Sequence, residues 1–135
     1  MSVLNRRAAR AAAVAAVGIA ALGLSAVTAS AKVDYDFKAS PHTVKAGGRI
    51  HVKGYAAKDD DLFQKFCVQE RQGKAAWRTV KCAHGAVFDG GSVDTWVRAQ
   101  HRGTLQLRGA LYETDWGSNK LRLQLVTPTE AVRVR

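Results

Sequence analysis

From Lys32 onward apolar side chains recur at every second position, the period of strands that bury one face and leave the other to water. In Arg49-Ile50-His51-Val52-Lys53, Ile50 and Val52 point one way and three basic or titratable side chains the other. Leu105, Leu107 and Leu111 alternate with Gln106 and Arg108, and Leu121, Leu123 and Leu125 with Arg122 and Gln124. Val132 and Val134 close the set between Arg133 and Arg135. The spacing predicts strands at about 33–38, 48–55, 65–71, 76–82, 93–99, 104–112, 120–126 and 131–135. Glycine and turn chemistry punctuate them at Gly47-Gly48, Gly54, Gly73-Lys74, Asp89-Gly90-Gly91, Arg102-Gly103 and Gly117-Ser118-Asn119. Strands at this spacing, with no long helical pattern among them, read as an all-β sandwich.

The first 31 residues break the pattern. Arg6, Arg7 and Arg10 precede an uncharged, alanine-rich stretch from Ala11 to Ala31 that ends in the small residues Ala29-Ser30-Ala31. This is the layout of a helical signal peptide, with cleavage expected after Ala31, so the domains read as 1–31 signal peptide and 32–135 folded domain. Ala-Ala follows the Arg6-Arg7 pair where bulky apolar residues mark a twin-arginine leader, which favours the general secretory route. The mature product is expected outside the cell, free of the membrane once the leader is cut.

Composition fits such a product. The 135 residues carry 21 Lys and Arg against 11 Asp and Glu, a net charge of +10, and apolar residues make up 47%, which excludes a collagen-like or acidic disordered chain. Without the three leader arginines the surplus is still about +7. Cys67 and Cys82 are the only cysteines, they flank the Gly73-Lys74 turn, and export carries them to an oxidising compartment, so they are expected to pair across a hairpin. Closing a loop of about 15 residues is worth on the order of 3 kcal/mol in the chain-entropy model.

The run Pro41-His-Thr-Val-Lys-Ala-Gly-Gly-Arg-Ile-His-Val-Lys-Gly54, the tryptophan hairpin Cys67 to Val80, His101-Arg-Gly-Thr-Leu-Gln-Leu-Arg108 and the closing Val132-Arg-Val134 together resemble the secreted immunoglobulin-like domains of actinobacteria. The resemblance implies an immunoglobulin-like antiparallel β-sandwich of about seven or eight strands, used as a non-catalytic binding, spacer or adhesion module. The sequence departs from that pattern in two places. Its cysteines sit in one hairpin instead of bridging two sheets, and Leu105 and Leu107 stand where an aromatic is common.

No chemistry for catalysis stands out. His42, His51, His84 and His101 lack metal-ligand spacing, Ser40, Ser92 and Ser118 lack a nucleophile-elbow setting, and no cofactor is implied. Lys58-Asp59-Asp60-Asp61 lacks the alternating spacing that wraps Ca²⁺ and reads as a solvated loop. Trp77 and Trp96, inside strand-like runs, are expected in the core or on a sheet face, while Trp116 lies between turn-forming residues and could anchor a partner. The outward basic residues Arg49, Lys53, Arg108, Arg122, Arg133 and Arg135 are expected to assemble one positive face that attracts polyanions. The candidate contact residues are therefore Trp116, Arg49, Lys53, Arg108 and Arg122.

The function expected is a secreted, non-enzymatic module that associates with cell-envelope or other extracellular polymers or proteins, with no specific nucleic acid. Two alternatives stand beside it. One is a small-molecule carrier resembling the antitumour-antibiotic chromoproteins, and the other an inhibitor that presents the loop 83–92 to a secreted protease. Terminal sequencing of the exported protein should read Lys32-Val33-Asp34 first; a start upstream of Ala29 would mean a retained leader. A thiol reagent applied to the non-reduced protein should label neither cysteine.

Overall fold

The computed structural model describes residues 32–115 and 117–135; the expected signal peptide and Trp116 lie outside them. Ten strands follow in order: β1 (Val33–Ser40), β2 (Thr43–Val44), β3 (Arg49–Lys58), β4 (Phe63–Gln72), β5 (Arg78–Cys82), β6 (Ala86–Val87), β7 (Ser92–Arg98), β8 (Gly103–Thr114), β9 (Leu121–Val126) and β10 (Glu130–Val134). The two beyond the expected eight, β2 and β6, are two residues long, too short for alternation to reveal. β1, β3 and β7 form one sheet in that order, and β2-β10-β8-β4-β5 form the other, with β9 beside β8 and β6 beside β4. All pairs are antiparallel except β2 with β10. This is an all-β sandwich of immunoglobulin-like arrangement, in which the first strand serves one sheet and the short β2 crosses to the other.

The alternating residues build the core as the pattern requires. Ile50, Val52 and Ala56 of β3 and Val93 and Val97 of β7 meet Phe66 and Val68 of β4, Leu105, Leu107 and Leu111 of β8, and Val132 and Val134 of β10. Phe66 is fully buried and needs glycine on both sides. A Cβ at Gly109 would stand 2.5 Å from its ring, and one at Gly54 would stand 3.1 Å from it and 2.8 Å from the Asp36 carbonyl. Gly54 is therefore a mid-strand residue and not the turn its type suggested: β3 runs four residues past it because the missing side chain is what the facing ring requires.

One strand defeats simple alternation. Leu125 pairs with Leu111 on the inner face, but Leu123 pairs with Tyr112 on the outer one, because Gln124 is an extra residue on β9. A bulge of this kind reverses the side-chain phase beyond it. Leu121 and Leu123 consequently face solvent, and Arg122 turns to the side of Glu113 and pairs with Asp115 at 3.1 Å.

Cys67 and Cys82 are directly opposite each other on β4 and β5, with Cα atoms 4.0 Å apart, and form the expected disulfide. The bond lies within one sheet, on its outer face.

The acidic loop is only partly solvated. Asp59 and Asp61 are exposed, but Asp60 turns inward, accepting hydrogen bonds from the Leu62 N–H (3.1 Å) and Gln64 Nε2 (3.2 Å). The cation facing it is the Lys58 ammonium, 3.4 Å away, which also donates to Glu113 Oε1 at 3.0 Å. Gln64 locks the cluster by accepting from the Lys58 N–H (2.8 Å) and donating to the Lys58 carbonyl (2.6 Å). Glu113 is almost wholly buried, and its Oε2 has no partner among the described residues. Burial pushes the Glu113 carboxyl above its ordinary pKa, the Asp60 carboxyl adds to that, and Lys58 opposes both. For Asp60 the cost of burial is outweighed by the neighbouring Glu113 side chain and by the hydrogen bonds from the Leu62 N–H and Gln64, so its pKa is lowered.

The two shifts act in opposite directions. A raised carboxyl favours the fold at low pH and loses that contribution as pH climbs through its folded pKa; a lowered one contributes above its ordinary value and loses that as pH falls. Glu113→Gln removes the first effect while keeping a side-chain amide donor beside Asp60 for the second. The melting temperature of the variant minus that of the parent should therefore rise as pH climbs above the ordinary carboxylate range. A difference independent of pH would show that Glu113 is ionised in the fold without cost.

Candidate binding face

Sheet geometry divides the residues expected to form one positive face. Arg49 and Lys53 stand on the outer side of the β1-β3-β7 sheet, whereas Arg108 and Arg133 stand on the outer side of the larger sheet. Arg122 belongs to neither group, because the β9 bulge turned it toward Asp115. Period-two alternation shows which residues point outward but not which sheet they join, so the expectation of a single cationic surface is corrected to two outer faces of different chemistry.

The larger sheet carries the more organised of them. β4 and β8 each contain Gln-x-Arg, as Gln69-Glu70-Arg71 and Gln106-Leu107-Arg108. Their antiparallel register sets Gln69 opposite Arg108 and Arg71 opposite Gln106, so each amide meets the other strand's guanidinium. Arg108 Nε donates to Gln69 Oε1 (2.8 Å), Gln69 Nε2 donates to the Tyr112 hydroxyl (2.7 Å), and Arg71 Nε donates to Gln106 Oε1 (2.5 Å). Both guanidinium groups then stack on Trp77, their central carbons 4.1 Å (Arg108) and 4.5 Å (Arg71) from its ring centroid. Trp77 reaches this position because it immediately precedes β5, one step beyond the Glu70–Arg78 pair and alongside Arg71. It lies on a sheet face, one of the two places its setting predicted.

The electrostatics of this pair are unusual for a surface. Burial pulls the Arg108 guanidinium pKa down, Tyr112 opposes it, and the neighbouring Arg71 charge adds a smaller lowering. Arg108 still carries its charge, since a guanidinium stays protonated in proteins. Among the described residues no carboxylate forms an ion pair with either arginine; the partners found are His42–Glu130, His51–Asp94, Lys58 with Asp60 and Glu113, Arg78–Glu70 and Arg122–Asp115. Each Nε is held by a glutamine, and the terminal amino groups have no protein acceptor among those residues. Two positive charges are thus fixed side by side, oriented and uncompensated.

Beside them lies an apolar edge. The Cys67–Cys82 disulfide and Ala110 pack beneath the outer side chains, with Cys67 and Ala110 buried, and Val126 and Leu123 of β9 are exposed next to Tyr112. The loop 83–92 is bent back sharply: the Ala86 N–H donates to the Asp89 carbonyl (2.9 Å), and Phe88 has φ +66°, leaving Val87 and Phe88 exposed at the tip. Sequence reading singled out Arg108 but missed Trp77, Arg71, Gln69 and Tyr112 as its companions. The duplicated Gln-x-Arg on two strands destined to pair was the available signal.

No protein-family model matches the chain, and no curated protein matches it. Among solved structures it is similar to a β-glucosidase from Erythrobacter marinus, at 10% identity over 78% of this chain and 16% of that one, with a TM-score of 0.48. A CARDB domain from Pyrococcus furiosus in complex with di-metal ions aligns at 12% identity over 78% of this chain and 89% of its own, with a TM-score of 0.45. A chain from the structure on T cell specificity and activation by toxic shock syndrome toxin-1 aligns at 13% identity over 78% and 100%, with a TM-score of 0.46. The chain spans only 16% of the glucosidase, and likenesses this distant transfer neither a ligand nor an activity.

Proposed function

We propose that this protein is a secreted, extracellular, non-catalytic binding module of the actinobacterial immunoglobulin-like type. It holds anionic groups of a cell-envelope or other extracellular polymer on the outer face of its larger sheet. The observation that carries this reading is the Arg71–Arg108 pair on Trp77: two guanidinium groups fixed at Nε, stacked on one indole, with their terminal donors free. That arrangement suits a carboxylate or phosphate, which accepts two parallel N–H bonds from a guanidinium fork. Holding the cations in place beforehand removes part of the ordering cost of binding, and their partial burial strengthens the attraction relative to a fully solvated lysine.

A second reading rests on the adjacent β9 edge. The exposed Leu123 and Val126 offer apolar contact to a flat molecule whose acid group sits on the arginines, as in a small-molecule carrier. A chromophore that co-purifies with the protein would distinguish it from polymer binding.

The test uses purified anionic cell-wall polymer and, separately, inorganic polyphosphate and polygalacturonate. Affinity should fall as salt rises from about 50 to about 200 mM, because binding releases counterions from the polymer. Arg108→Gln and Arg71→Gln should each weaken binding about tenfold at low salt, with the melting temperature nearly unchanged. Trp77→Ala should weaken it as well, by freeing both side chains. Binding indifferent to salt, or unaffected in the Arg71→Gln/Arg108→Gln double variant, would overturn the proposal.

A further inference from the structure

The outer face of the smaller sheet has a different composition. The register places its outward side chains in rows across β1, β3 and β7: Ser40, His51 and Trp96 in one, Lys38, Lys53 and Asp94 in the next, Asp36, Tyr55 and Ser92 in the third. Lys38, Lys53, Arg49 and Arg98 are set against Asp34, Asp36 and Asp94, so donors and acceptors alternate and the charges nearly cancel. Trp96 is 55% exposed on this face, an unusual position for a large aromatic. It is held in place all the same. The His51 ring stacks on it at 4.9 Å and 29°, and the Arg49 guanidinium lies 5.1 Å from its centroid. His51 is itself fixed by Asp94, whose Oδ1 is 2.5 Å from Nε2, which leaves Nδ1 free to meet a ligand. Beside this cluster a groove of about 370 Å³ runs between β1 and β3, lined by Asp36, Lys38, Ser40, His51 and Lys53.

We propose that this face is a second binding site, independent of the arginine pair, and that its ligand is an uncharged polysaccharide. A pyranose ring presents an apolar C–H face ringed by hydroxyl groups that both donate and accept. The exposed indole fits that apolar face, and the alternating carboxylates, ammonium groups, hydroxyl and imidazole fit its rim. Charge argues against the other polymers. A polyanion would be repelled by Asp34, Asp36 and Asp94, and a polycation would meet the four basic residues. The spacing also fits. Adjacent strands are about 4.8 Å apart, close to the length of one sugar unit, so a glycan lying across the sheet sets successive rings over β7, β3 and β1. The ring over β7 stacks on Trp96, and those that follow reach His51 with Lys53 and then Ser40 with Lys38 and Asp36.

Depletion from solution by insoluble cellulose, chitin and starch granules tests the site, with the full chain in about 0.5 M NaCl so that attraction through the arginine pair is screened. At least one of the three should remove the protein. Trp96→Ala should then bind about tenfold more weakly, because an exposed stacking tryptophan is the expected anchor. Asp94→Ala should weaken binding through loss of the His51 tether, and it supplies the same reading if the tryptophan variant fails to fold. The Arg71→Gln/Arg108→Gln double variant should bind like the parent, which separates this site from the anionic one. Failure of all three solids to deplete the protein, or equal depletion by a folded Trp96→Ala, would overturn the proposal.

Discussion

Phe66 is where the two sheets are held to one another. Its ring fills the space left by Gly54 on the opposing sheet and Gly109 on its own, so the distance between layers is set by one aromatic and two absent side chains. Close packing of this kind tolerates little change in volume. The β4–β8 register follows from it, since Phe66 must lie beside Leu111 with Gly109 one step along, next to Val68. Once that register is fixed, the outer side is fixed too. Gln69 meets Arg108, Arg71 meets Gln106, and the guanidinium groups are delivered to Trp77. The apolar contact that makes the molecule fold thereby also arranges its cations, from the reverse side of the same strands.

The two outer faces show how one scaffold yields unlike surfaces. On the larger sheet the charged groups are of one sign, tethered by neutral amides and close to an apolar edge. On the smaller sheet opposite charges alternate around a half-exposed indole. Neither arrangement needs a deep pocket, because a sheet presents side chains at fixed intervals and a polymeric ligand can be read along its length.

Most of the fold was legible in the sequence, and the reasons are local. Residues such as Ile50, Val52, Leu105 and Leu107 declare a buried side by alternation alone, and Cys67 and Cys82 declare a hairpin by flanking a turn. What escaped depends on pairing between distant segments. Gly54 resembles punctuation until Phe66 is known to press against it. Gln69 resembles a solvent residue until Tyr112 and Arg108 are found on the neighbouring strand. Arg49 and Arg108 look equivalent along the chain, and only strand order reveals that they face opposite directions. Asp60 reads as one of three loop carboxylates until Lys58, Gln64 and Glu113 draw it inward.

The extra residue at Gln124 amounts to a change of phase within β9, and its effect is chemical as well as geometric. Were β9 paired with β8 residue for residue past Leu125, Gln124 would face Tyr112, Leu123 would turn inward opposite Glu113 and Arg122 would swing out opposite Thr114, replacing a greasy rim by a third cation without altering any residue's identity. The character of that surface is therefore encoded in the offset between two strands, and a slip of one position can re-tune it more abruptly than any single replacement.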